Sequence, residues 1–258
     1  MLYENIGLTI YIFVISGILG AVMGSFINCM AWRIAHKESV LHGRSHCAVC
    51  NHPLNALDLI PVFSYLFLKG RCRYCKEKIS PRYMLTELFM ALSFVLIVAR
   101  YDVTFEAMRY LAAACLLLGL SLVDLEIYEI PDGFIIAGII WWIATLPFMN
   151  MGIAEQIKSG LLGGICIGGG LLLLSLVFDK IMKKESLGGG DVKLFFMVGL
   201  YLGLGVSLLN LIVACILGIV FAFGLKRQKI PFGPAISCAT LISLLVGSEI
   251  VNWYIGLF

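Results

Sequence analysis

Apolar runs of about twenty residues, the length a helix needs to cross roughly 30 Å of hydrocarbon, alternate along the chain with short charged segments. Bounded by charge, proline or glycine, they predict spans at Ile6 to Trp32, Tyr83 to Ala99, Met108 to Val123, Gly133 to Met149 and Ser159 to Phe178. The stretch from Val192 to Leu225 is too long for one span, and Gly199, Gly203 and Gly205 offer a turn inside it. A last apolar segment runs from Phe232 to the C-terminus. No repeat of solenoid spacing and no low-complexity segment interrupts the plan. The expected fold is an all-α polytopic membrane protein of about eight transmembrane helices. Its organisation is a first transmembrane helix at 1–32, one polar insertion at 33–82 and a membrane domain at 83–258.

Composition sharpens this reading. Hydrophobic residues make up 60% of the 258 and charged residues 14%, too little charge to cover a water-soluble fold. The first run reads as a retained span, because no positive region precedes Ile6 and no small-residue cleavage site follows. A net charge of +3 says little, but its distribution says more, since Lys and Arg collect on the inner side of a membrane. With eight spans and the N-terminus outside, the inner side receives nine Lys and Arg between Arg33 and Arg82 and four between Lys180 and Lys193. Lys226, Arg227 and Lys229 bring the inner count to 16 of 19. Only Arg100, Arg109 and Lys158 fall outside. Reading 192–225 as a single span would reverse the side of the last three, so the rule favours two spans and places both termini outside.

Within the insertion lie Cys47-Ala-Val-Cys50 and Cys72-Arg-Tyr-Cys75, with 21 residues between the pairs. Each short pair offers two thiolates from one turn, and two such turns complete a tetrahedral four-sulfur shell that suits one zinc ion. Disulfides are the competing reading, which a reducing cytosol disfavours. Four thiolates leave no open position, so the zinc is expected to be structural and to fold a cytoplasmic loop that has little core of its own. His42, His46 and His52 read as solvated loop residues, and the other five cysteines, 29, 115, 166, 215 and 238, as small packing residues.

Ionisable residues inside spans are functional candidates by default, and Glu87, Asp124 and Asp191 qualify. From Tyr110 to Asp124 is 15 residues, or about 22 Å at about 1.5 Å per residue. If the helices bearing both aspartates start at the outer surface, each aspartate lies on the order of 10 Å beneath the inner one. Two carboxylates at one depth suit an aspartic protease, in which one takes a proton from water while the other polarises the scissile carbonyl. Helix capping or pairing with a lysine is the plainer alternative.

Gly188-Gly189-Gly190-Asp191-Val192-Lys193 favours the catalytic reading. Three glycines do not favour a helix, allow close backbone approach and leave edges that an extended peptide can pair with. Irregular backbone at membrane depth is tolerated only beside protein or a water-filled cavity. A plain glycine linker is the alternative, and nucleotide binding is weaker because no strand or Walker pattern accompanies the loop. Asp132, between Pro131 and Gly133, reads as a helix cap. Glu126 and Glu129 read as surface charge, and Asp179 and Glu185 as a solvated cluster with Lys180, Lys183 and Lys184. Pro231-Phe232-Gly233-Pro234 reads as a rigid start to the last span without chemistry of its own.

Along nearly its whole length the sequence closely resembles the bacterial type IV prepilin peptidases, intramembrane aspartic proteases known by a Gly-x-Gly-Asp motif. The resemblance rests on Gly24-Ser25-Phe26-Ile27-Asn28 with Arg33, the four-cysteine loop, Ile79-Ser80-Pro81-Arg82-Tyr83 with Glu87, Asp124 followed by Ile130-Pro131-Asp132, Gly188 to Lys193, and Pro231 to Pro234. It implies Asp124 and Asp191 as the catalytic pair, supported by Gly188, Gly189, Gly190 and Lys193. The implied substrates are prepilins and pseudopilins with short basic leaders ending in glycine, cut at the cytoplasmic face of a bacterial inner membrane. It also implies methylation of the new N-terminus with S-adenosylmethionine, with Gly24, Asn28, Arg33 and Glu87 as the matching residues. Packing is an alternative for Gly24 and interfacial anchoring for Arg33. Membrane lipids are expected contacts and nucleic acid is not. The rival of a different class is a proton-coupled transporter or channel whose aspartates relay protons and whose zinc loop docks partners. Preflagellin-type and signal-peptide-peptidase-like proteases are nearer alternatives, which the four-cysteine loop argues against.

Overall fold

A computed structural model describes residues 5–40, 42–183, 187–225 and 231–257. Lys184 and Glu185 of the expected charge cluster, and Lys226, Arg227 and Lys229 of the topology count, lie outside the described residues. Secondary structure among the described residues is almost wholly helical: α1 (Ile6–Ala35), a short α2 (Phe63–Phe67), α3 (Pro81–Tyr101), α4 (Phe105–Ile127), α5 (Asp132–Thr145), α6 (Ile153–Gly164), α7 (Gly170–Met182), α8 (Gly189–Leu225) and α9 (Gly233–Ile255). A single π-helical turn, Ile165–Gly169, joins α6 to α7 into one apolar rod. The chain divides into two compact units between Ala107 and Met108.

Six of these helical stretches are long and apolar enough to cross a membrane, and Asp132–Phe148 is a shorter apolar one. The longest, α8, is broken at Gly203, whose φ of 69° and ψ of 176° stop one helix and start another. Counting its two halves and the shorter Asp132–Phe148 helix gives about eight apolar helices among the described residues, as the glycines of this stretch suggest. The protein is a multi-pass membrane protein.

In the first unit α1 opens on Asn5, whose side chain accepts the Gly7 and Leu8 N–H groups. It packs along α3 with bare backbone at the crossing. A Cβ on Gly20 would lie 2.5 Å from the Met90 carbonyl oxygen, and one on Gly24 would lie 3.0 Å from Glu87 Cα. Without side chains at these two positions the helices approach closely enough for dispersion to hold them in lipid. Ser80 caps α3 and Pro81 occupies its first turn.

In the second unit the α6–α7 rod lies against the first half of α8 through another glycine seam: a Cβ on Gly199 would meet the Gly164 nitrogen at 2.5 Å. α8 also packs on α9. Arg109, which the charge count leaves at the outer surface, is 5% exposed. Its guanidinium donates to Thr145 Oγ1 at 2.7 Å, the Trp142 carbonyl and Gln156 Oε1, tying α4 to α5 and α6. The start of α4 also differs from expectation. Thr104 Oγ1 accepts the Ala107 N–H, so the helix begins at Phe105 rather than at Met108, and the depth count from Tyr110 starts too late. Asp124 then lies about 28 Å along α4 at about 1.5 Å per residue, and the depth inferred from the shorter helix contracts to a few ångströms.

Candidate active site and metal centre

Asp124 stands one turn before the end of α4, and Asp191 stands in the first turn of α8. Both belong to the second unit, and their carboxylates are near enough for the charge of one to act on the other through space. Their surroundings differ. Asp124 is 5% exposed, and its Oδ2 accepts the backbone N–H of Gly233 at 2.9 Å. That donor is the first residue of α9, so the carboxylate also meets the positive end of a helix dipole. Asp191 is half-buried, and among the described residues its carboxylate has no hydrogen-bond partner.

The sequence pattern assigns no chemistry to the Pro-Phe-Gly-Pro segment, yet Gly233 serves the site from within it. A signal existed: a helix opening on glycine, with Pro234 behind it and lacking an N–H, directs one free donor at whatever lies before it. A Cβ on Gly233 would come within 2.7 Å of Asp124 Oδ2, so only glycine leaves room for this approach. Below the carboxylate, Ser121 Oγ hydrogen-bonds Ser237 Oγ at 2.8 Å, and both reach the Leu117 carbonyl. These buried serines hold α4 and α9 in the register that presents Gly233 to Asp124.

Two expectations about neighbouring residues are corrected. The glycine triplet is not an irregular edge, because Gly189 and Gly190 form the first helical turn of α8 and only Gly188 precedes it. Backbone bonds from the Asp191 and Val192 N–H groups to the Gly188 carbonyl close that turn, and an acidic side chain at a helix start offsets weak glycine propensity. Close approach is needed at Gly190, where a Cβ would lie 3.0 Å from Ile130 Cβ. Asp132 does not cap α5. Pro131 holds the cap position, and the Asp132 carboxylate takes Lys193 Nζ at 2.7 and 3.0 Å. A full charge across 61 positions of sequence outcompetes the local N–H groups, and it ties the start of α5 to the start of α8.

In the first unit, Cys47, Cys50, Cys72 and Cys75 bring their sulfurs within 4.8 Å of one another, with Cys47 and Cys75 at 3.9 Å. A tetrahedral shell with metal–sulfur bonds of about 2.3 Å sets sulfurs about 3.8 Å apart, so the donor set fits a four-thiolate metal site. Two matching turns build it. Asn51 N–H bonds the Cys47 carbonyl and Lys76 N–H bonds the Cys72 carbonyl, with Asn51 and Lys76 both at positive φ, 55° and 62°. Burial opposes the Cys47 thiolate, but the Cys50 and Val49 N–H groups outweigh it and lower the pKa to about 7. The Glu77 N–H favours the Cys75 thiolate, yet burial and the neighbouring sulfurs push it up to about 12. A metal entering the cluster therefore displaces thiol protons. No histidine joins this group among the described residues; His52 lies tilted against the Tyr74 ring and His46 meets the Trp32 edge.

Between the metal turns and the ends of α1 and α3 lies a cavity of about 340 Å³. Asn28, Arg33 and Glu87 line it, whereas Gly24 serves the crossing of α1 and α3. Arg33 is not an interfacial anchor: it is 7% exposed and donates to the carbonyls of Ser39, Val40, His42 and Gly43. Asn28 Nδ2 donates to Thr86 Oγ1 at 2.6 Å, and its Oδ1 is buried without a partner. Glu87 Oε2 accepts the N–H of Val62 at 2.7 Å. Val62 has φ of 64°, a conformation a β-branched residue rarely adopts, and the Glu87 carboxylate helps to hold it there.

Two family models match successive parts of the chain. The Bacterial Peptidase A24 N-terminal domain matches residues 18–101, and the Type IV leader peptidase family matches residues 111–223. The chain is 35% identical over 234 residues to the prepilin leader peptidase/N-methyltransferase of Aeromonas salmonicida (strain A449), covering 85% of this chain and 77% of that protein. It is 30% identical over 269 residues to the enzyme of that name in Pseudomonas putida, covering 93% and 92%. The Bacillus subtilis (strain 168) protein of the same name is 28% identical over 246 residues, covering 92% and 96%. No solved structure matches. Similarity that runs through both units and over 77% or more of each of these relatives places the chain in the type IV leader peptidase family.

Proposed function

We propose that this protein is an intramembrane aspartic endopeptidase that removes the leader peptides of type IV prepilins and pseudopilins and then N-methylates the new N-terminal residue. The observation that carries the proteolytic reading is the pairing of Asp124, anchored by the Gly233 N–H, with the unbonded Asp191 at the start of α8. Neighbouring carboxylates share one proton. The ionised member takes a proton from water as the water oxygen bonds to the scissile carbonyl carbon, and the protonated member gives its proton to the carbonyl oxygen. Collapse of the resulting diol returns a proton to the departing amine. Asp124 is held in one orientation, while Asp191 is free to turn toward substrate. Gly188, Gly189, Gly190 and Lys193 support Asp191 by shaping and tethering its helical turn. The transporter alternative draws no support from the relatives.

For methylation, the N-terminal unit offers the cavity lined by Asn28, Arg33 and Glu87, with Gly24 setting the crossing beneath it. Its size and its mix of carboxylate, amide and aromatic walls fit a small charged cofactor. S-adenosylmethionine, when bound, supplies an electrophilic methyl group to the free amine. The buried, partnerless Asn28 Oδ1 and the Glu87 carboxylate are the acceptors on hand to orient a cationic ligand. We assign one structural zinc to the four cysteines and divide labour between the loop at 33–82, which serves methylation together with Asn28 and Glu87 on the flanking helices, and the aspartate-bearing helices within 83–258, which serve proteolysis. The placement of Lys and Arg supports a bacterial inner-membrane location with the loop and the aspartates on the cytoplasmic side and both termini outside.

Mass spectrometry of a pilin N-terminus after co-expression tests both activities at once. The expected product begins just before the apolar helix and carries one added methyl group. Unprocessed prepilin would refute the reading, and a cleaved but unmethylated product would refute its second half.

A further inference from the structure

We infer that the loop segment from Leu57 to Phe67 is a membrane-interface anchor that lays its apolar side on a surface of anionic lipid. The segment is apolar yet lies outside the spans. Leu57, Ile60, Phe63, Leu66 and Phe67 all stand exposed, Phe63 at 60% and Phe67 at 82%. Phe63, Leu66 and Phe67 are spaced three and four residues apart within α2, so they share one side of that turn. Ser64, Tyr65 and Leu68 face the other way and line the cavity of this unit. The exposed side is thus not a remnant of a loosely packed core, since the segment already has a packed face.

Charge removes the main objection to lipid. The one acidic residue of the segment, Asp58, is withdrawn from its surface: Oδ1 takes Arg73 Nε at 2.6 Å and Oδ2 takes the Asn55 N–H, leaving the side chain 3% exposed. Exposed Lys69, Arg71, Lys76 and Lys78 follow directly. Across 33–82 nine Lys and Arg stand against three Asp and Glu. An apolar face bordered by basic residues is the composition of a monotopic anchor, whose cations meet headgroups as its apolar side chains enter the acyl boundary. Both ends of the loop are tied to the packed helices α1 and α3, each apolar enough to span, so the segment never leaves the reach of the bilayer.

The test uses the full-length protein in phosphatidylcholine vesicles with and without phosphatidylglycerol. Phe67→Trp, and Leu57→Trp as a second reporter, are read as emission added to the wild-type background, with lipids brominated at shallow acyl positions as quenchers. The expected result is a blue-shifted added emission that the bromolipids quench, more strongly with phosphatidylglycerol, with the increment lost in high salt or in a Lys69→Gln, Lys76→Gln, Lys78→Gln variant. Added emission that bromolipids leave untouched overturns the inference, whether it is red-shifted, meaning water, or blue-shifted, meaning a covering protein. Quenching that ignores phosphatidylglycerol overturns the anionic part.

Discussion

The backbone N–H of Gly233 donates to the Asp124 carboxylate at 2.9 Å, joining the end of α4 to the start of α9. Gly233→Ala places a methyl group 2.7 Å from Oδ2 and forces the carboxylate off its donor. A hydrogen bond to a charged group contributes about 1.5–3 kcal/mol, so cleavage should fall by roughly 10- to 100-fold. Steady-state cleavage of a prepilin peptide checks this, alongside a melting curve that should fall by a few degrees, because the same bond joins α4 to α9.

The Asp132–Lys193 pair is exposed on both sides, at 60% and 54%, and such pairs are worth about 0–1 kcal/mol. Asp132→Lys or Lys193→Asp alone should lower cleavage several-fold by loosening the start of α8 while barely moving stability. The double exchange should recover most of the loss. A double-mutant cycle on cleavage rate measures the coupling directly.

Cys47→Ser or Cys75→Ser removes one of four thiolates and should abolish stoichiometric zinc binding, read by elemental mass spectrometry. The loop should become sensitive to protease, and methylation should fall more than cleavage. Variants with undiminished zinc would refute the four-thiolate assignment.

Glu87→Gln keeps an oxygen for the Val62 N–H and removes the charge from the cavity wall. Cleavage and melting temperature should hold while methylation and equilibrium binding of S-adenosylmethionine drop. Equal binding in the variant would argue that Glu87 serves only the loop conformation.

Much of this architecture was legible because hydrocarbon imposes its length on every span. Even the break in α8 could be read, since Gly203 is needed for a positive φ that other residues disfavour. The apolar span opens at Met108, after Glu106, and the depth is counted from Tyr110, whereas Thr104 caps the helix earlier and Arg109 is buried with polar partners. Around the aspartates, the local logic of capping failed for Asp132, whose partner lies 61 residues away. Gly233 acts through a backbone N–H, and its sequence signal, a helix opening on Gly-Pro, says that a donor is free without saying which side chain takes it.

The central claim, that Asp124 and Asp191 act as one catalytic pair, is tested most directly by Asp124→Asn and Asp191→Asn. Each substitution keeps side-chain volume and removes one carboxylate. Purified variants with wild-type melting temperature and elution volume should both lose prepilin cleavage to below detection, with zinc content unchanged. A folded variant of either aspartate that still cleaves at a rate near wild type would contradict the account.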